Sequence, residues 1–222
     1  MRQCSVCNNA ASGQFGSLCA QHSQRKRRHG DPQQESIRAA EIKPCVVRVQ
    51  KIIERDGSGK IVAGLNKLVE ILKDYCGGIV SDSEHGRPVN QHGVQAAREM
   101  LTVFQDFSPV QCASVVAGMH LYLDDYPHRF SSDRGFTFEM VRMFRSMSDA
   151  NIGFDESAAS GKVKRAYKEI PPRTIGQLGY TLNDGFKSFV AFVRHHEQKK
   201  AAKEQDARNL LEAGFAGISE VE

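Results

Sequence analysis

The chain has 222 residues, of which 40% are hydrophobic and 25% charged, with six cysteines and no tryptophan. That composition suits one ordinary globular domain plus a small appendage, and the thiols are too sparse for a secreted disulfide scaffold. No apolar run approaches the roughly 18 residues needed to cross a bilayer, and the opening Met1-Arg2-Gln3-Cys4 lacks the apolar core of a secretory signal, so a cytoplasmic protein with no membrane partner is expected.

Net charge is +4, and its distribution matters more than its size. Residues 1–60 carry eleven Lys/Arg against five Asp/Glu, whereas the remainder carries nineteen against twenty-one. A positive field concentrated at one end of a chain points to a nucleic-acid-binding arm.

Residues 1–33 cannot build a hydrophobic core, because Val6, Phe15 and Leu18 are nearly their only large apolar side chains. Asn8-Asn9, Ser12-Gly13 and Gly16-Ser17 read as turns. Within this segment Cys4 and Cys7 form C-x2-C, and Cys19 and His22 form C-x2-H after an eleven-residue gap. Two short ligand pairs joined by a loop can close one tetrahedral zinc site, since a two-residue spacer aims both side chains at the same ion. One structural zinc, contributing roughly 10–16 kcal/mol of apparent binding free energy, would fold a segment that apolar burial cannot. His29 is the alternative fourth ligand, although the shorter reach of His22 matches C-x2-C better. The run Arg25-Lys26-Arg27-Arg28-His29 follows directly, with no acid among residues 1–30, and is expected to contact nucleic-acid phosphate.

The stretch Gly16-Ser17-Leu18-Cys19-Ala20-Gln21-His22, continued by Arg25, Arg27, Arg28 and the tetrapeptide His29-Gly30-Asp31-Pro32, resembles a small zinc motif common in bacteriophage and mobile-element proteins. In that family a CxxC-type pair precedes C-x-x-H and an arginine-rich turn, often beside HNH-type endonucleases. The resemblance covers residues 4–32 and implies metal ligation by Cys4, Cys7, Cys19 and His22, with nucleic-acid contact by the basic turn. Ser23 stands where the family commonly has an aromatic.

Beyond the motif the pattern is helical. Residues 33–44 read as a polar linker or short amphipathic turn ending at Pro44, and a first helix is expected from Cys45 to Arg55, before the Asp56-Gly57-Ser58-Gly59 turn. A stronger helix runs from about Lys60 to Cys76 and is expected to stop at Gly77-Gly78, with residues 77–89 as a loop. Asn90 and Ser108-Pro109 are capping signals for two further helices, through Phe107 and up to Pro127. Residues 134–149 repeat the periodicity. Asp155 is expected to cap a shorter helix ending near Lys168, whose Lys162, Lys164, Arg165 and Lys168 make a second basic cluster able to extend the phosphate track. After Pro171-Pro172, Thr174 opens the longest periodic segment, with Leu210 and Leu211 making a last contact before Gly214. Cys45, Cys76 and Cys112 lie in apolar stretches as buried, inert thiols.

Catalytic constellations are weak. Asn90-Gln91-His92-Gly93 has no matching Asp-His pair upstream for an HNH site, His120, Asp124 and His128 are interrupted by Pro127, and His195-His196 fit a polar helix end. The expectation is therefore a mainly α protein: a zinc-binding basic module (1–33), a linker and first helix (34–59), a helical bundle domain (60–216) and a loose tail (217–222). It would act as a non-enzymatic nucleic-acid-binding accessory protein, DNA favoured over RNA. A protein-interaction adaptor docking on a larger host or phage enzyme is the competing class, and a metal-dependent nuclease a third.

Overall fold

The computed structural model describes residues 2–13, 16–148, 152–156, 163–167 and 169–219, the side chains of 152–156, 163–167 and 213–219 excepted. Among them are seven α-helices: α1 (Ala20–His29), α2 (Ala39–Glu54), α3 (Lys60–Glu84), α4 (Gln91–Asp106), α5 (Pro109–Asp125), α6 (Asp133–Arg145) and α7 (Pro172–Ser219). A 3-10 turn (Pro127–Arg129) precedes α6, and an antiparallel hairpin of β1 (Ile152–Glu156) with β2 (Val163–Tyr167) follows it. The chain is mainly α, as its periodicity implies.

The bundle is built around α5. This helix packs against α2, α3, α4, α6 and α7, and Cys112, Ala113, Val116, Ala117, Met119 and Leu121 on it are all buried. A helix apolar on every side belongs at the centre of a core rather than on its surface. Small residues let neighbours come close: a Cβ on Gly118 would stand 3.1 Å from the Val46 backbone and 2.7 Å from its Cγ2. The helix starts where its capping signals are, with Ser108 accepting from the Gln111 N–H at 3.3 Å and Pro109 in the first turn. Asn90 caps α4 in the same way, accepting from the His92 N–H at 2.9 Å. Cys45, Cys76 and Cys112 are buried. Burial pushes the Cys76 thiol up to about 11 and the Cys112 thiol up to about 12, so both stay protonated and unreactive.

Four expectations are corrected. First, α2 begins at Ala39 and carries Pro44 inside it. Pro44 is exposed, while Ile42, Cys45, Val49, Ile52 and Ile53 of the same helix are buried. That apolar face is enough to hold the helix through a missing N–H. Ile37 is also fully buried, so the stretch before α2 is part of the core. Second, α3 passes through Gly77-Gly78 to Glu84. Cys76 is buried and Ile79 and Val80 pack on the core, which outweighs a propensity cost of about 1 kcal/mol per glycine. The actual stop is at Gly86, which takes φ 71°. Third, residues 152–167 include the hairpin where a helix was expected; Ile152 pairs with Tyr167 and Glu156 with Val163. Fourth, α7 runs through Gly214 to Ser219. Leu210 and Leu211 are 74% and 64% exposed and make no core contact. Residues 220–222 of the expected tail lie outside the described residues.

Candidate metal centre

The first ligand pair sits on a tight hairpin. Gln3 bridges Ala10, the Cys4 N–H donates to the Asn9 carbonyl at 2.7 Å, and the Asn8 N–H donates back to the Cys4 carbonyl at 3.1 Å. Asn8 closes the turn in the left-handed region, φ 59°, which asparagine tolerates better than most residues. The second pair comes from the start of α1. Cys19 is its N-cap and His22 lies one turn on, so their side chains share a face and Cys19 Sγ stands 3.2 Å from His22 Nδ1. Backbone bonds from Ser5 N–H to the Ser17 carbonyl (2.9 Å) and from Ser12 N–H to the Leu18 carbonyl (2.8 Å) hold the two halves together.

Cys4, Cys7, Cys19 and His22 thus bring three sulfurs and one ring nitrogen within 4.8 Å of one another, and the group can hold one metal ion. Cys7 Sγ lies 3.8 Å from Cys19 Sγ, and Cys4 Sγ lies 3.4 Å from His22 Nδ1. Two sulfurs bound tetrahedrally at about 2.3 Å to a common ion stand about 3.8 Å apart. The spacing is also far beyond the roughly 2.05 Å of a disulfide, and all three cysteines are free. Cys4 is buried, which opposes ionisation, yet N–H groups of Cys19, Val6 and Cys7 and the His22 ring bring its thiol down to about 6. At Cys7 the Asn9 backbone favours the thiolate, but burial and the neighbouring Cys19 and Cys4 sulfurs outweigh it and push the thiol up. A cation among the sulfurs removes that mutual opposition.

His29 is not part of the cluster. Its Nδ1 meets Glu139 Oε1 at 2.6 Å, and Glu139, fully buried in α6, also accepts from the Ile37 N–H at 2.8 Å and from Arg142 Nε at 3.2 Å. Gly30 ends α1 with φ 82°, and a Cβ there would stand 2.8 Å from both the Arg134 carbonyl oxygen and the Phe138 ring. Asp31 Oδ1 then accepts from the Gln33 N–H at 2.8 Å. The His29-Gly30-Asp31-Pro32 tetrapeptide is therefore the joint that seats the metal module on α6.

The basic run divides. Arg27 and Arg28 both reach Glu169, at 2.6 and 3.2 Å, in exposed ion pairs. Lys26 is exposed, and Arg25 lines a cavity of about 670 Å³ with Arg38, Arg129, Glu35 and Glu41. Within that cavity Arg129 is held by Glu41 at 2.6 Å and by Glu35 at 3.4 Å, and neither Arg25 nor Lys26 is in an ion pair among the described residues. Of the second basic cluster, Lys164 and Arg165 fall on β2, where only the backbone is described, and Lys162 and Lys168 lie outside the described residues.

The other candidate ligands lie apart from the cluster. His120 Nε2 donates to Asn183 Oδ1 at 3.0 Å, Asp124 pairs with Arg194 at 2.7 Å, and His128 is exposed beyond the end of α5. His92 Nδ1 lies 3.1 Å from Thr174 Oγ1. Sequence reasoning missed Glu139 and Glu169, the two carboxylates that receive the basic run. Glu139 is visible as a lone acid inside the apolar stretch Phe136–Phe144, but its partners a hundred residues earlier are not. No helix among the described residues is long and apolar enough to cross a membrane. Comparison with protein-family models, with curated proteins and with solved structures finds no match to this chain.

Proposed function

We propose that Cys4, Cys7, Cys19 and His22 hold one structural zinc ion, and that the module so folded presents α1 to the phosphate backbone of nucleic acid, DNA before RNA. The observation that carries this reading is the convergence of a Cys3His donor set on the first turn of a helix whose remaining turns are Arg25-Lys26-Arg27-Arg28. Three thiolates and a neutral imidazole around Zn2+ leave one net negative charge. The positive end of the α1 dipole and the basic run then stabilise the loaded site. Arg25 and Lys26 are free to meet phosphate, and Arg27 and Arg28 can exchange Glu169 for it, because exposed ion pairs contribute only about 0–1 kcal/mol. The role is non-enzymatic binding, in keeping with the motif's resemblance to phage and mobile-element accessory proteins.

The test is a titration of labelled duplex DNA and of RNA over a range of salt. Changing Arg25, Arg27 and Arg28 together to Ala should weaken binding and lower the slope of log affinity against log salt by about 2–3, with the helical content unchanged. Absence of binding to either nucleic acid at low salt would leave the adaptor reading. One observation favours that second reading: every residue from Gln198 to Glu212 of α7 is exposed, Leu210 and Leu211 among them.

A further inference from the structure

A cleft away from the metal centre concentrates more unpaired positive charge than the basic turn does. Arg55, which caps the C-terminal end of α2, and His196, Lys199, Lys200, Lys203 and Glu204 of α7 line a space of about 450 Å³. The lysines fall at 199, 200 and 203, three, four and seven residues after His196, so one helix face carries all of them. The turn that precedes these lysines is tied to α2 and α5. Arg48 of α2 bonds Glu197 through Nε at 2.9 Å and Asp125 of α5 at 2.5 Å, and Arg194 bonds Asp124 at 2.7 Å.

Those bonds also consume the local acids. Asp124, Asp125 and Glu197 are all engaged outside the cleft, which leaves Glu204 as the carboxylate in its lining, 3.7 Å from Lys200. Arg55, Lys199 and Lys203 have no ion pair among the described residues. The negative end of the α2 dipole offsets about half a charge, and the lining stays positive. Several cations facing one another across a concave space repel unless an anion enters.

We infer that the cleft between the C-terminal end of α2 and α7 is a second seat for nucleic-acid backbone phosphate, independent of the metal centre. A membrane surface fits it less well, because interfacial helices bury a broad face of large apolar side chains with cations at its flanks, and between Gln198 and Asn209 of α7 the only apolar residues are alanines. With two seats on separate elements, one duplex can engage both, and the second engagement is intramolecular once the first is made.

The experiment uses the full chain with its metal and a fluorescein-labelled duplex DNA of about three helical turns, followed by anisotropy from low to physiological salt. The triple variant Arg55→Gln, Lys199→Gln, Lys203→Gln is compared with the double variant Arg25→Gln, Lys26→Gln. All five residues lie at the surface, and circular dichroism checks the fold. Loss of three phosphate contacts lowers the salt slope by about 2.7, and the triple variant should bind at least tenfold more weakly at physiological salt. If the triple variant keeps the wild-type slope and affinity while the double variant loses them, the cleft inference fails and the metal-module reading stands. The reverse pattern upholds the cleft and removes the metal module as a contact. If the wild-type chain binds neither DNA nor RNA, and instead binds phosphatidylserine vesicles or inorganic phosphate in a manner lost in the triple variant, the inference is overturned.

Discussion

Single residues carry unequal weight at the joint between the metal module and the bundle. Glu139 is fully buried and serves three donors, from His29, Ile37 and Arg142. Glu139→Ala leaves these groups without their acceptor and should lower unfolding stability by about 3 kcal/mol or more, read from denaturant midpoints. Arg27→Ala or Arg28→Ala should change it by less than about 1 kcal/mol, because both pairs with Glu169 are exposed. Equal effects at the two sites would show that the buried carboxylate does not hold the joint. His120 gives a pH dependence of known sign. Burial lowers the basicity of its ring, and Arg194 nearby adds to this, so the folded protein keeps it neutral. The unfolded chain takes up that proton near pH 6.5. The unfolded state therefore binds more protons as pH falls, and stability present above about pH 6.5 is lost toward the lower folded value. His120→Gln should flatten the fall in denaturant midpoint between about pH 7.5 and 5.5; parallel curves for the two proteins would contradict the assignment. At this scale the ligand set was readable, because Cys4, Cys7, Cys19 and His22 lie within nineteen residues and their geometry is local. The partners of His29, Arg27 and Arg28 were not, because they lie more than a hundred residues away.

Among elements, α5 and α7 behave oppositely. Gly118→Ala places a methyl group against the Val46 backbone and should cost about 1–3 kcal/mol by forcing α2 from α5. Leu210→Ala together with Leu211→Ala should unfold at an unchanged midpoint, because both side chains are exposed. Cap chemistry made α4 and α5 legible, with Asn90, Ser108 and Pro109 each in the role their type suggests. Where the reading failed, packing had overridden a local signal. Gly77-Gly78 and Pro44 are breakers by propensity, yet each sits in a helix whose apolar face is already bound to the core. Leu210 and Leu211 looked like core residues by type, and only their exposure among the described residues shows that they are not.

For the whole molecule, stability should be graded. Amides of α5 should exchange only on global unfolding, whereas those from Gln198 to Glu212 should exchange quickly, since an unsupported helix of about 15 residues is marginal in water. Uniform protection along α7 would mean that a partner or second copy covers its exposed half. The N-terminal module is the other extreme: a segment with almost no core of its own, seated on α6 by Gly30, His29 and Glu139, with Cys4, Cys7, Cys19 and His22 gathered where one metal ion would close it. Everything proposed for α1 depends on that closure. Metal analysis of the purified chain beside Cys19→Ser tests it most directly. One zinc per chain, lost in the variant together with ordered structure in residues 2–30, is the predicted result. A chain without zinc, or a variant that keeps it, would contradict the account.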